Sequence, residues 1–218
     1  MRHLDGPRLE PSRPVTGLVV LLHGYGANGE DLIGLAEAWQ PLLPQIAFVA
    51  PNAPEPLPGA GFSARQWFEL TFRDLHELWR GVNAAGPILE KFLDSELGRY
   101  GLPPNRLALV GFSQGTMMAL HVGLRRAAAP AAIIGYSGVI AGPEHLEAQL
   151  KARPPVQLIH GELDDVIPIE ALHITREALA RVRIPVEWHI RPGLGHGIDP
   201  VGLKLGGSFL AQALKPGH

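Results

Sequence analysis

The segment around Ser113 combines residue types and spacing that suit a nucleophilic serine. It reads Gly111-Phe-Ser-Gln-Gly115 and stands between an apolar run at 107–111 and an apolar stretch of helical character at 116–126. A strand, a sharp turn that carries a serine, and a helix form the nucleophile elbow of serine hydrolases when they come in this order. Glycines on both sides are expected, because the turn brings the strand and helix backbones too close for a Cβ atom.

The surroundings of the pentapeptide carry this interpretation, because a G-x-S-x-G match by itself has low specificity. Ser137 provides an internal control. It also follows an apolar run, at 131–136, but it lacks a second glycine at the required spacing. We therefore interpret Ser137 as a strand-end serine without a chemical role.

A serine hydroxyl is a poor nucleophile at neutral pH and needs a histidine to remove its proton. Among the histidines downstream of Ser113, only His196 lies in a glycine-framed loop after the last apolar run. His121 lies within a predicted helix, where a solvated or capping role is expected, and His189 lies within a predicted strand. The pattern therefore predicts His196 as the general base.

The histidine in turn needs a carboxylate to hold its tautomer and to stabilise the imidazolium. Asp164 and Asp165 both follow the apolar run 156–160 and precede His196, in the Ser, Asp, His order of α/β-hydrolases. One of them is expected to orient His196, and the other to face solvent or cap the helix that begins near Pro168. Periodicity does not separate the two.

An acyl-transfer site also needs two backbone N–H groups aimed at the developing oxyanion. Gln114, which comes directly after the nucleophile, would supply one, and Tyr25, in the loop His23-Gly-Tyr-Gly26 after the first strand, would supply the other. The alternative for this loop is a simple glycine-rich turn. His23 is expected to be a buried hydrogen-bonding residue. His23, His160 and Asp164 lack the ligand spacing of a metal site, so no metal is predicted.

Short apolar runs alternate along the chain with stretches of helical length and spacing. Such alternation predicts an α/β fold with a mainly parallel sheet covered by helices on both faces. The candidate residues all come after strands, where open α/β sheets bind their ligands. The predicted strands are 18–22, 46–50, 107–111, 131–136, 156–160 and 186–190, and the predicted helices are 30–40, 73–99, 116–126, 170–181 and 203–214.

Composition limits the classes of function that fit this chain. With 218 residues it is expected to form a single domain, 1–218. A net charge of −2 with 18% charged residues gives no electrostatic reason to bind nucleic acid. There is no cysteine, no apolar run long enough to span a bilayer, and no signal-peptide pattern at the N-terminus. A cytoplasmic protein without stable membrane insertion is the expectation.

The longest predicted connection, residues 51–71, is rich in Pro and Gly but also carries Phe62, Trp67, Phe68 and Leu70. A loop of this length in a compact domain is usually functional. Its aromatic residues are predicted either to contact substrate or to pin the loop to the core.

Taken together, the motifs resemble the phospholipase/carboxylesterase family of small α/β-hydrolases, which includes bacterial carboxylesterases and acyl-protein thioesterases. The resemblance implies an α/β-hydrolase fold without a large lid domain. It also implies Asp164 as the acid, Tyr25 and Gln114 as oxyanion donors, and Trp67 beside the acyl site. The matching segments run in the family's order over nearly the whole chain: Leu22-His-Gly-Tyr-Gly26, Pro51-Asn-Ala-Pro54, Gln66-Trp-Phe68, Gly111-Phe-Ser-Gln-Gly115, His160-Gly-Glu-Leu-Asp-Asp-Val-Ile-Pro168 and Gly195-His196.

The expected activity is therefore hydrolysis of short- to medium-chain carboxylic esters without a cofactor, through an acyl-enzyme on Ser113. Trp67, Phe68, Leu70 and, in the loop 138–142, Val139 are the predicted substrate-binding residues. The alternatives are a lysophospholipase or an acyl-protein thioesterase with the same residues and, more remotely, a non-catalytic binding module. The partner is then a small-molecule or lipid-like ester, and the resemblance also makes a homodimer possible.

Overall fold

The computed structural model describes residues 4–12, 14–61, 63–71 and 76–215. The strands are β1 (Arg8–Leu9), β2 (Gly17–Leu22), β3 (Ile46–Val49), β4 (Glu55–Pro56), β5 (Arg65–Gln66), β6 (Leu107–Phe112), β7 (Ala132–Tyr136), β8 (Val156–Gly161) and β9 (Val186–Arg191). The helices are α1 (Gly29–Trp39), α2 (Glu77–Tyr100), α3 (Gln114–Gly123), α4 (Leu146–Gln149), α5 (Glu170–Arg181) and α6 (Pro200–Ala213).

A seven-stranded sheet in the order β1-β3-β2-β6-β7-β8-β9 organises the molecule. All neighbouring strands are parallel except β1, which pairs antiparallel with β3. The carboxyl ends of β2, β6, β7 and β8 therefore lie at one edge, with Leu22 paired to Gly111 and Phe112 to Tyr136. The predicted α/β-hydrolase fold is confirmed.

The apolar strands are continuous in sequence because each face of the sheet is buried against helices. In β2, Leu18, Val20 and Leu22 belong to the core cluster shared with α2, α3 and α5. Val19 and Leu21 point to the opposite face and join the cluster shared with α1 and α6. Both layers hold the central strands in place, so the loops at their carboxyl ends have a rigid support.

Most predicted elements agree with the structure within two residues, and α5 has the predicted bounds. Helix α2 begins at Glu77, whereas the prediction began at residue 73, and residues 73–75 lie outside the described part of the chain. Sequence analysis missed β1, β4, β5 and α4, because elements of two to four residues are too short to show periodicity.

The segment 51–71, which we call the flap, folds back on itself through an antiparallel pairing of β4 with β5. Phe62 lies outside the described residues. No helix among the described residues has the length and apolar character needed to cross a membrane.

Candidate active site

Ser113 lies in the sharp turn between β6 and α3, with φ of 55° and ψ of −118°. A positive φ is uncommon for a residue with a side chain, and it marks a turn that the surrounding structure must hold in place. The Ser113 N–H donates to the Tyr136 carbonyl at 2.9 Å. A Cβ at Gly111 would overlap the Gly115 backbone, and a Cβ at Gly115 would overlap the Leu22 carbonyl. The predicted close approach of β6 to α3 is confirmed, and β2 crowds Gly115 as well.

The loop after β2 lies directly against the nucleophile candidate. A Cβ atom at Gly24 would stand 3.2 Å from the Ser113 Cβ and 3.3 Å from the Phe112 ring. Only 8% of Ser113 is exposed, so a reactant could reach it only through a narrow opening.

His196 and Asp164, which are 32 residues apart, meet at the same edge of the sheet. The Nδ1 of His196 lies 2.8 Å from Asp164 Oδ2 and 3.0 Å from Oδ1. The carboxylate is fully buried, whereas the His196 side chain is 17% exposed. The His196 ring also packs against the ring of Phe112, the residue that precedes Ser113, at a centroid distance of 4.9 Å. A carboxylate accepts, so His196 carries its proton on Nδ1, which leaves Nε2 free to act as a base.

The neighbouring carboxylates, which sequence alone left unresolved, have different environments. Asp164 Oδ1 accepts the N–H groups of Val166 at 3.0 Å and Ile167 at 2.8 Å. Burial would raise the pKa of Asp164, but hydrogen bonds from Ile167 and His196 outweigh it, so the pKa lies below its usual value. Asp165 is exposed, and α5 begins at Glu170 without a side-chain cap. Of the two roles predicted for the second aspartate, solvation is therefore confirmed and capping is wrong.

His160 is a further member of this group that sequence analysis did not assign to it. The side chain is buried, and its Nε2 donates to the Ile167 carbonyl at 2.8 Å and lies 3.4 Å from Asp164 Oδ2. Thus His160 and the Asp164 carboxylate hold the turn 164–167 from both sides. The spacing of four residues between His160 and Asp164 belongs to the family motif that implied Asp164 as the acid, but sequence analysis gave His160 itself no role beside that carboxylate.

The two predicted oxyanion donors lie in suitable local environments. In the loop after β2, Gly26 N–H donates to Arg65 and Ala27 N–H to Gly24, while Tyr25 N–H has no acceptor among the described residues. Gln114 opens α3, and the first N–H groups of a helix have no intrahelical acceptor. Both amides are thus available to a ligand, and their role as an oxyanion hole stays a prediction.

The Gln114 side chain has a second role that sequence analysis missed. Its Oε1 accepts from Trp67 N–H at 2.9 Å, and its Nε2 donates to the Phe68 carbonyl at 2.8 Å. The Trp67 indole N–H donates to the His23 carbonyl at 2.9 Å. The flap is therefore attached at one point to both segments that carry the predicted oxyanion donors.

His23 also joins the loop after β2 to the flap, and it is the buried hydrogen-bonding residue that the sequence predicted. Its Nδ1 lies 2.7 Å from the Gly24 carbonyl, and its Nε2 lies 2.9 Å from the Ala53 N–H. A carbonyl only accepts and an N–H only donates, so the ring is neutral with its proton on Nδ1. Burial lowers the pKa of His23, which keeps it neutral.

The predicted substrate-binding residues differ in exposure. Trp67 and Phe68 of the flap are buried in the core cluster shared with α2 and α3. Leu70 and Val139 are half-buried and pack against that cluster. The first two thus pin the flap, and a contact of any of the four with substrate stays a prediction.

His121 is a correction, because it is neither solvated nor a cap. It is buried on α3 beside Gly86 and the edge of Trp79, and its Nδ1 has no partner among the described residues. Burial lowers its pKa to about 3. The reason is that α2 packs against α3, whose residues are all buried.

Comparisons with known proteins agree with this architecture. The model of the phospholipase/carboxylesterase family matches residues 9–214. An acyl-protein thioesterase 1 from Gibberella zeae is 28% identical over 92% of both chains. Esterase YpfH of Escherichia coli is 28% identical over 91% of this chain and 84% of its own. The crystal structure of esterase PE8 superposes with a TM-score of 0.93 at 42% identity, over 97% of this chain and 99% of that one. The chain belongs to the phospholipase/carboxylesterase family of α/β-hydrolases.

Proposed function

We propose that this protein is a serine carboxylesterase that hydrolyses short- to medium-chain carboxylic esters through an acyl-enzyme on Ser113. The observation that carries the proposal is the His196–Asp164 hydrogen bond, formed at the sheet edge where Ser113 occupies the elbow before α3. The partly exposed histidine and the buried, ionised carboxylate have the environments that a base and its orienting acid require.

In the first step, Ser113 Oγ attacks the ester carbonyl while His196 Nε2 takes its proton. Asp164 accepts the Nδ1–H and stabilises the imidazolium that forms. The developing oxyanion would be bound by the N–H groups of Tyr25 and Gln114, which have no acceptor to give up among the described residues. The alkoxide then leaves with the proton held by His196.

In the second step, water attacks the acyl-enzyme while His196 again acts as the base, and Ser113 is released with its proton. The buried turn that holds Asp164 would keep the Nδ1–H of the histidine bonded to the carboxylate throughout the cycle. This sequence of steps uses only side chains and backbone groups of this chain.

Thioester hydrolysis is the second candidate activity, because the same residues would cleave an S-acyl bond. The similarity to the fungal acyl-protein thioesterase favours it over a lysophospholipase. The thioesterase and esterase candidates differ in the leaving group, a thiolate or an alkoxide. An S-acyl protein would also require a more open surface than a small ester.

The proposal is tested by labelling with a fluorophosphonate and by turnover of p-nitrophenyl esters and matched thioesters of two to ten carbons. We expect one covalent adduct on Ser113 and the highest kcat/KM with short or medium esters. Labelling elsewhere, or no label on a folded protein, would disprove the nucleophile. A kcat/KM that is higher for thioesters throughout the series would favour the second candidate.

A further inference from the structure

A pocket of about 320 Å³ lies beside Ser113 on the α1 side of the sheet. Its apolar walls are Leu32 and Leu35 of α1, Phe112, Ile198 and Ala27, and Gly24 lines the end next to the nucleophile. Ligand sites are typically concave, mostly apolar and of at least this size. No flap residue lines the pocket, although the Arg65 N–H of the flap donates at 3.0 Å to the carbonyl of Ala27, a wall residue.

We propose that this pocket receives the alcohol part of the ester, and that the protein therefore prefers esters of neutral, apolar alcohols such as alkyl or benzyl alcohols. The inference rests on the proposed function and specifies its substrate. It names the chemical class of the leaving group, which the assignment of the nucleophile, base and acid leaves open.

The position of the pocket relative to His196 identifies the part of the substrate that it receives. In the tetrahedral intermediate, His196 must reach the leaving oxygen in order to protonate it, so the alcohol lies on the histidine side of Ser113. The Phe112 ring, which packs at 4.9 Å from the His196 ring, forms one wall, and Ile198, two residues after His196, forms another. An acyl chain would extend from the carbonyl carbon in a different direction.

Apart from the exposed Asp31, the lining of the pocket offers a substrate little polar interaction. His23 is neutral, and both of its ring nitrogens already bond to the backbone of Gly24 and Ala53. An apolar cavity of about 150 Å³ suffices for benzene. A pocket of about 320 Å³ therefore has room for a benzyl or hexyl group.

The mouth of the pocket disfavours an alcohol that carries a phosphate, such as the headgroup of a lysophospholipid. Asp31, whose carboxylate accepts the Asn28 N–H at 2.8 Å, is a lining residue, so a phosphate bound there would lie near a like charge. The N-terminus of α1 would otherwise attract an anion, but its N–H groups are already bonded. Gly29 N–H donates to Asn52 Oδ1 and Glu30 N–H to Asn28 Oδ1.

The test compares two ester series on wild type and three variants. One series holds the acyl group as acetate and varies the alcohol through methyl, butyl, hexyl and benzyl. The other holds the alcohol as methanol and varies the acyl group from two to eight carbons. Leu35→Trp fills the pocket, Leu35→Ala enlarges it, and Ile33→Trp is the matched control. Ile33 is also half-buried on α1, against the same core cluster, but does not line the pocket.

We expect wild type to prefer hexyl and benzyl acetate to methyl acetate by about tenfold or more in kcat/KM. Leu35→Trp should remove this preference and leave methyl acetate within about threefold, while Leu35→Ala should move the optimum towards bulkier alcohols. Ile33→Trp should retain the wild-type order. If Leu35→Trp instead shortens the preferred acyl chain, or changes neither series, the assignment of the pocket to the alcohol is wrong.

A binding measurement separates this inference from the proposed function. Benzyl alcohol is titrated into the ¹³C-methyl-labelled protein, and the Leu32, Leu35 and Ile198 methyl resonances are followed. Shifts at these methyls in wild type, abolished in Leu35→Trp and retained in Ile33→Trp, support an alcohol site even in a protein without esterase activity. The absence of such shifts at tens of millimolar benzyl alcohol would overturn the pocket while leaving the esterase proposal to its own assay.

Discussion

The ends of β6 and β7 lie side by side in the sheet, and each carries a serine with positive φ: 55° at Ser113 and 44° at Ser137. The backbone hydrogen bonding is the same at both serines. The Ser113 N–H donates to the Tyr136 carbonyl and the Ser137 N–H to the Ile159 carbonyl, each on the neighbouring strand. Yet 8% of Ser113 is exposed and none of Ser137. The Ser137 hydroxyl has no partner among the described residues.

The two serines differ in the segment that each one begins. Ser113 leads directly into α3, whose first N–H groups have no intrahelical acceptor. Ser137 leads into a loop in which Gly138 lies tightly against Thr116 and the Ser113 carbonyl. Backbone strain alone therefore does not mark a nucleophile. A helix that begins directly after it and a partly exposed histidine nearby distinguish Ser113, the proposed nucleophile, from Ser137.

The largest expected effect comes from replacing each serine with alanine. Ser113→Ala should lower kcat by at least about 10⁴, since loss of a nucleophile leaves only binding and oxyanion stabilisation. Ser137→Ala should change kcat by less than about threefold, because it removes a buried hydroxyl without a partner. Both proteins are assayed on one short p-nitrophenyl ester after a check of circular dichroism. An inactive Ser137→Ala protein with native circular dichroism would contradict the assignment of Ser137 to a purely structural role.

The next largest effect separates two neighbouring carboxylates in the same way. Asp164→Asn keeps an oxygen for the Val166 and Ile167 N–H groups but can present an N–H to His196, favouring the wrong tautomer. A loss of about 10⁴ in kcat is expected from that change. Asp165→Asn alters an exposed side chain and should cost less than about tenfold. The reverse ranking would make Asp165 the acid while leaving Ser113 and His196 in place.

Two buried glutamines extend the comparison to the flap. Gln114→Glu loses the donor to the Phe68 carbonyl and should shift the flap, with an expected loss of about 100-fold in kcat/KM. Gln157, buried in β8, donates its Nε2 to Glu187 away from this site. Gln157→Glu should therefore reduce thermal stability without this loss of activity in the protein that remains folded. Equal kinetic losses in both variants would show that Gln114 has no specific positioning role.

Sequence patterns predicted the fold, the Ser113 elbow and His196, because apolar runs, glycine spacing and strand-end loops are local signals. They did not distinguish Asp164 from Asp165, because adjacent residues share the same local pattern. Only the resemblance to the family favoured Asp164. The structural choice depends on contacts with Val166, Ile167 and His196. The Gln114 side chain bonds to Trp67 and Phe68, which lie 47 and 46 positions before it in the chain. No sequence periodicity indicates a contact between residues so far apart.

His121 shows the same limit from the opposite side. The prediction rested only on its place in a helix, where a histidine is expected to be solvated or to act as a cap. In the fold, α2 packs over α3, and all residues of α3 are buried. Burial of a helix on every side depends on which element lies above it, and neither propensity nor the hydrophobic pattern of α3 itself contains that information.

The smallest expected effect contrasts the buried His121 with the partly exposed His196 and concerns stability. The pKa of His121 is about 3 in the folded protein, against about 6.5 in an unfolded chain. As the pH falls below about 6.5, the unfolded state therefore binds a proton that the folded state refuses, and stability declines down to about pH 3. The slope for one proton is at most about 1.4 kcal/mol per pH unit. Urea unfolding of wild type and His121→Leu between pH 7 and pH 4 measures it. The free energy of unfolding of wild type relative to the variant should decrease as the pH is lowered. Parallel plots of the two free energies against pH would show that His121 is protonated equally in the folded and unfolded states.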